Sequence, residues 1–67
     1  MSVVKVIEII AEGKSIENAI ESGIREASKS VRGIKSAWAD GIQALCDSKG
    51  KISKYRVKLK LSFLVES

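Results

Sequence analysis

The stretch that most limits what this chain can become is "KYRVKLKLSF", residues 54–63, in which apolar and polar side chains alternate without a break. Alternation with period two marks a strand with one dry face and one wet face. Tyr55, Val57, Leu59, Leu61 and Phe63 point one way, and Lys54, Arg56, Lys58, Lys60 and Ser62 the other. A dry face needs a cover, so a second layer has to come from elsewhere in the 67 residues. That cover is legible upstream. From Ser15 the apolar positions Ile16, Ala19, Ile20, Gly23, Ile24, Ala27 and Val31 keep the three-and-four spacing of a single helical stripe. Ser15 suits the N-cap, Glu17 the positive end of the helix dipole, and Lys29 and Arg32 the negative end. With Gly33 as a left-handed C-terminal cap, the spacing predicts a helix of about 18 residues.

Two further strands frame that helix. "SVVKVIEIIA" (2–11) is rich in β-branched residues and stops at "EGK"; residues 34–46 form the second strand, "DSKGK" a hairpin connection, and "ISKYRVKLKLSFLVE" the third strand. The fold class is therefore α+β, with a β-α-β-β order. A helix that returns along the first strand makes that strand parallel to the second, so a wholly antiparallel three-stranded sheet has the third strand in its centre. One helix covers one face only. On the second strand, Ala37, Ala39 and Gly41 share a parity and are small enough to lie under the helix. Ser36, Trp38, Asp40 and Ile42 then fall on the uncovered face with Arg56 and Lys58. A tryptophan and an isoleucine beside open strand edges mark a subunit interface; a flat ligand stacked on Trp38 is the alternative. Gly23 either permits close approach of helix to sheet or is tolerated at a cost of about 1 kcal/mol relative to alanine.

Composition narrows the function. There is no histidine, and the single cysteine, Cys46, has no partner for a disulfide within the chain and no base beside it, so it reads as a small apolar filler. No catalytic constellation exists, and an enzyme is not expected. Glu8, Glu12, Asp40 and Asp47 are too scattered to form a calcium site, so no metal is assigned. Twelve basic against eight acidic side chains read as an ordinary solvated surface. The row Lys54, Arg56, Lys58 and Lys60 could follow a phosphate backbone, but Tyr55 and Phe63 lie on the dry parity. Without a stacking platform for bases, nucleic acid is not the expected partner. No apolar run approaches the roughly 18 residues of a membrane span, and "MSVVKVIEII" is interrupted by Lys5 and Glu8 where a signal peptide would be continuous, so a cytoplasmic protein away from membranes is expected. A domain of this size buries only about 60 % of its unfolded surface and needs help to be stable.

"SVVKVIEIIAEG", "AIESGIREASKSVRGI" and "KYRVKLKLSF" together resemble the dodecin family over nearly the whole length. The resemblance implies a single domain over 1–67, with the sheet partly wrapped around the helix, assembling with itself into a hollow homododecamer. It also implies a non-catalytic shell that binds, stores or sequesters a small ligand of flavin type, riboflavin or FMN. In flavin-binding members a strand tryptophan stacks on the ring and a glutamine after the strand tyrosine hydrogen-bonds to it. Those places fall at Ser36 and Arg56 here, and an acidic position near the pocket falls at Gly41. Trp38 stands two residues further along the same strand, about 7 Å on. The expected ligand-binding residues are accordingly Trp38, Arg56 and Ser36, with Arg56 able to grip carbonyl or phosphate oxygens. The chain is similar to the branch that lacks the flavin-stacking tryptophan, which leaves a flavin-free structural or calcium-associated dodecamer as the second expectation.

Overall fold

The computed structural model describes residues 2–65. Its elements are β1 (Val3–Gly13), α1 (Ile16–Ala27), β2 (Ile34–Cys46) and β3 (Ile52–Val65). The sheet order is β1-β3-β2 with both pairings antiparallel, so the third strand is central, as expected from the direction in which the helix returns the chain. Glu66, the last residue of the expected third strand, lies outside the described residues. β1 and β3 pair without interruption from Val3 opposite Val65 to Gly13 opposite Tyr55.

The dry face of β3 is the core. Val57, Leu59 and Leu61 are fully buried, joined by Ala11 and by Ala19 of the helix, with Ile7, Ile9, Ile20 and Ile24 packed around them. Gly23 sits where α1 comes closest to the sheet. A Cβ there would lie 2.8 Å from the Ala11 Cβ and 2.9 Å from the Leu59 Cδ1. Close approach is thus its role.

The helix starts as expected: the Ser15 Oγ accepts from the Asn18 N–H at 3.0 Å, and the Asn18 Oδ1 reaches back to the Lys14 N–H at 3.2 Å. Its end differs. The helix stops at Ala27 after 12 residues, not about 18, because Ser28 caps it and the chain tightens into a turn closed by Lys29 N–H to Glu26 O and Ser30 N–H to Ala27 O. Gly33 does adopt a left-handed φ of 75°, but as the bend into β2 rather than as the cap. Arg25 stands in the last turn, while Lys29 pairs with Glu26 at 3.1 Å. The hairpin tip forms at "DSKGK" as expected: the Asp47 Oδ1 accepts from the N–H groups of Lys49 and Lys51, and Gly50 takes a φ of 81°.

A helix of 12 residues is about 18 Å long, whereas the 14 residues of β3 extend about 47 Å. It lies over β1 and β3 and scarcely reaches β2. Ala37 packs at the edge of the core, but Ala39 and Gly41 are exposed, so the expected packing of all three small residues under the helix is corrected. Cys46, expected as an apolar filler, is also exposed, since it ends β2 at the hairpin tip beyond the helix.

β2 carries a second departure from simple parity. Ala39 pairs with Leu59 and Ile42 with Val57, so the two residues Asp40 and Gly41 face the single residue Lys58. This is a β-bulge, and it reverses which side each later residue faces. Past it, Ile42 and Ala44 stand opposite Val57 and Tyr55 of the dry face, while Gln43 and Leu45 stand opposite Arg56 and Lys54 of the wet one. The expectation that Ile42 continues the Ser36–Trp38–Asp40 row is corrected accordingly.

Candidate functional site

With the helix on one side, the other side of the sheet is an open face built in cross-strand rows. From one end to the other these are Val4 with Leu64, Val6 with Ser62 and Ser36, Glu8 with Lys60 and Trp38, Ile10 with Lys58, and Glu12 with Arg56 and Gln43. The three site residues expected from sequence all lie on this face, yet they do not meet. Ser36 hydrogen-bonds through its hydroxyl to the hydroxyl of Ser62, which is itself buried. Trp38 stands across from Lys60, two residues along β2, and is 59 % exposed. Arg56 is four residues of β3 from Lys60 and six from Ser62, about 14 Å and 20 Å along the strand. On one chain a flat ring could touch Trp38 or Arg56, but not Arg56 and Ser36 together.

Each basic side chain of the row has an acid. Arg56 donates from Nε and Nη2 to the Glu12 Oε2 at 2.9 and 2.6 Å, while Lys54 reaches the Glu12 Oε1 at 2.9 Å. Lys58 approaches Glu8 at 3.5 Å, and Lys60 approaches Asp40 at 3.2 Å. The hydrogen bond from Lys54, then that from Arg56, holds the Glu12 carboxyl below the ordinary carboxylate value of 4.5. Half-exposed pairs of this kind add little to stability, but three carboxylates against four cations remove most of the field a bare basic row would project.

Two hollows lie between the rows. One of about 240 Å³ is lined by Ile10, Gly41, Ile42, Gln43, Arg56 and Lys58. A Cβ on Gly41 would meet only the Lys58 Cβ at 3.9 Å, so glycine at this place keeps the hollow wide. The other, about 350 Å³, is framed by Trp38, Ala39, Asp40 and Lys60. A wider concavity of about 420 Å³ runs between the free edge of β1 and α1, floored by Ile9, Ala11, Gly23 and Ala27, away from every expected site residue.

Sequence reasoning missed Glu12 and Gln43. Glu12 is brought to Arg56 by the β1–β3 register, and Gln43 is brought there by the bulge. "ADGI" held the signal for the second, because a glycine inside a strand pattern often marks a bulge. Among the described residues, no group of three or more histidine, cysteine, aspartate or glutamate side chains could hold a metal ion, and no helix is long and apolar enough to cross a membrane.

The fold recurs in solved structures. The tryptophan-to-phenylalanine variant of the dodecin from Thermus thermophilus superposes with a TM-score of 0.90 at 24 % identity, covering 100 % of both chains. Dodecin from Streptomyces davaonensis gives a TM-score of 0.90 at 19 % identity over 98 % of this chain and 97 % of that one. Dodecin from Streptomyces coelicolor gives 0.90 at 19 % over 98 % and 94 %. No curated protein sequence matches. The family model for dodecin, however, matches residues 3–66. With that match spanning almost every residue of the β-α-β-β chain, the chain belongs to the dodecin family, whose members are non-catalytic, bind and store small ligands, and in general take flavins.

Proposed function

We propose that this chain, as one domain over residues 1–67, assembles with itself into a hollow cytoplasmic homododecamer that binds and stores a flavin-type ligand, riboflavin or FMN, on its open sheet face. One observation carries the reading: Trp38 stands 59 % exposed on a face that no element of its own chain covers. Val4, Val6 and Ile10 on the same face are 59, 48 and 63 % exposed. The chain presents 5077 Å² to solvent, against about 4,200 Å² for a compact monomer of its mass. Identical copies shielding that surplus would supply the stability the small core lacks.

In this reading Trp38 is a displaced stacking platform, because Ser36 stands at the family's tryptophan place. The chain accordingly sits nearer the branch without the flavin-stacking tryptophan. Arg56 and Ser36 lie too far apart to serve one ring from one chain, and the hollows beside Arg56 and Trp38, about 240 and 350 Å³, fall below or at the low end of the roughly 300–1,000 Å³ of a complete ligand pocket. The site is therefore a part-site completed by a second copy. The ion pairs that occupy the basic row favour the second reading, a flavin-free structural dodecamer.

Native mass spectrometry with an absorption spectrum on the same sample separates the two. The expected result is a twelve-chain particle that quenches added riboflavin fluorescence. A twelve-chain particle that leaves riboflavin bright establishes the flavin-free reading, and a stable monomer at micromolar concentration refutes both. Trp38→Ala should keep the particle and lose at least tenfold in flavin affinity if the indole stacks; dissociation of the particle would assign it to the contact between copies.

A further inference from the structure

Beside the expected residues, the open face carries a polar side chain that the flat-ligand reading has not used. Gln43 enters this face only because the Asp40–Gly41 bulge turns it there, and it arrives directly across from Arg56. The Arg56 guanidinium is already bound through Nε and Nη2 to Glu12, and its remaining Nη1 approaches the Gln43 Oε1 at 3.5 Å. A guanidinium only donates, so the oxygen of the amide faces it and the amide NH2 faces away. The chain Glu12–Arg56–Gln43 thus orients a neutral double donor at the rim of the 240 Å³ hollow, which Ile10 and Gly41 help to line on this face. The other cation at that rim, Lys58, is paired with Glu8.

We propose that Gln43 is the specificity-determining residue of this hollow, with its carboxamide, positioned by Arg56 and Glu12, donating to a carbonyl oxygen or ring nitrogen on the edge of a neutral flat heterocycle. The inference rests on the flat-ligand reading above. It assigns Arg56 a positioning role: with Nε and Nη2 held by Glu12, the guanidinium is not free to grip a phosphate in a fork, and the site reads the ring edge. An aliphatic wall with a few placed donors is what a neutral heterocycle requires. A site organised to hydrogen-bond its ligand discriminates strongly when the donor is lost, since the ligand acceptor is then left unpaired.

The test is fluorescence titration of the assembled protein with riboflavin and with FMN at low salt, with native mass recorded for every variant. Unmodified protein should bind both flavins within about threefold of each other. Gln43→Ala and Gln43→Glu should each weaken both by at least tenfold, while Glu12→Gln, which releases Arg56, should shift the ratio at least tenfold toward FMN and lose that shift on adding salt. If unmodified protein quenches neither flavin, the flat-ligand reading fails and takes this proposal with it. If unmodified protein binds but Gln43→Ala binds as tightly, only the proposal fails. Should the Gln43 variants not assemble, the parental ratio decides: FMN bound tenfold or more tightly than riboflavin means that Arg56 reads a phosphate, which overturns the assignment.

Discussion

Gly23→Ala sets helix propensity against packing, and the structure decides the sign. In an exposed helix the substitution would stabilise by about 1 kcal/mol, because glycine loses more backbone freedom on folding than alanine. Here the new Cβ would sit 2.8 Å from the Ala11 Cβ and 2.9 Å from the Leu59 Cδ1, about 1 Å inside ordinary carbon–carbon contact. The Ala11 Cβ is fixed to the backbone of a paired strand and has no rotamer to change, and Leu59 is fully buried. Relief requires lifting α1 off the sheet, and overpacking of this kind costs about 1–3 kcal/mol. With one blocking atom immobile the upper half of that range applies, so the net effect is a loss of about 1–2 kcal/mol, or about 4–16 °C in Tm for a domain of this size. Thermal unfolding at one fixed protein concentration reads it, with Glu21→Ala on the exposed side of the helix as the control for propensity alone. An unchanged or raised Tm for Gly23→Ala would show that the glycine is merely tolerated, and the account of how helix meets sheet would be wrong.

Leu59→Ala empties the centre of the core, where the side chain is fully buried, and should cost about 2–5 kcal/mol; far-ultraviolet circular dichroism under denaturant titration would show a chain already partly unfolded without denaturant. The Glu12 carboxyl is depressed below its ordinary value of 4.5 in the folded chain, so the stability it contributes is complete above that value and is lost as pH falls through the folded one. Denaturation midpoints should drop over that acid range, and Glu12→Gln should flatten the drop; an unchanged slope would deny the carboxylate its two partners.

The alternation of Tyr55, Val57, Leu59, Leu61 and Phe63 was enough to say which side of β3 is dry, because a strict period of two leaves no choice of face, while its central place followed from the chain direction that the helix imposes on β1 and β2. The helical stripe was equally legible at Ala19, Ile20, Gly23 and Ile24, all of which meet the core. Its end was not, since Val31 continues the spacing while Ser28 caps the helix and the N–H groups of Ser30 and Val31 both turn back to the Ala27 carbonyl. On β2, parity counting holds only from Ser36 to Ala39: a register shift before Ser36 puts Ile34 opposite Phe63 of the dry face, and the Asp40–Gly41 bulge reverses the residues that follow. The candidate site falls at that break. Its Arg56 was readable from the alternation, whereas Glu12 depends on register between strands, which no local pattern encodes, and Gln43 on a bulge whose only local sign is Gly41.

The same register determines what kind of force can close the open face. A basic row on a strand would ordinarily demand acidic groups from a partner, yet Lys54, Arg56, Lys58 and Lys60 all pair within the chain with Glu12, Glu8 and Asp40, which leaves one positive charge of the four in excess. Burying a pair whose partners are already joined avoids stranding a lone charge, the most damaging outcome of charge burial, although both partners still lose water. Apart from the Gln43 carboxamide, the groups left unmatched on this side are mostly apolar: Val4, Val6, Ile10 and Trp38 all stand about half exposed or more. In a shell of the kind proposed, this face is therefore held between copies by apolar area, with the charge ladder setting alignment rather than strength. Salt should leave that contact largely intact, and the helix-free side, polar in sequence pattern, becomes the adhesive one because its polarity is consumed internally.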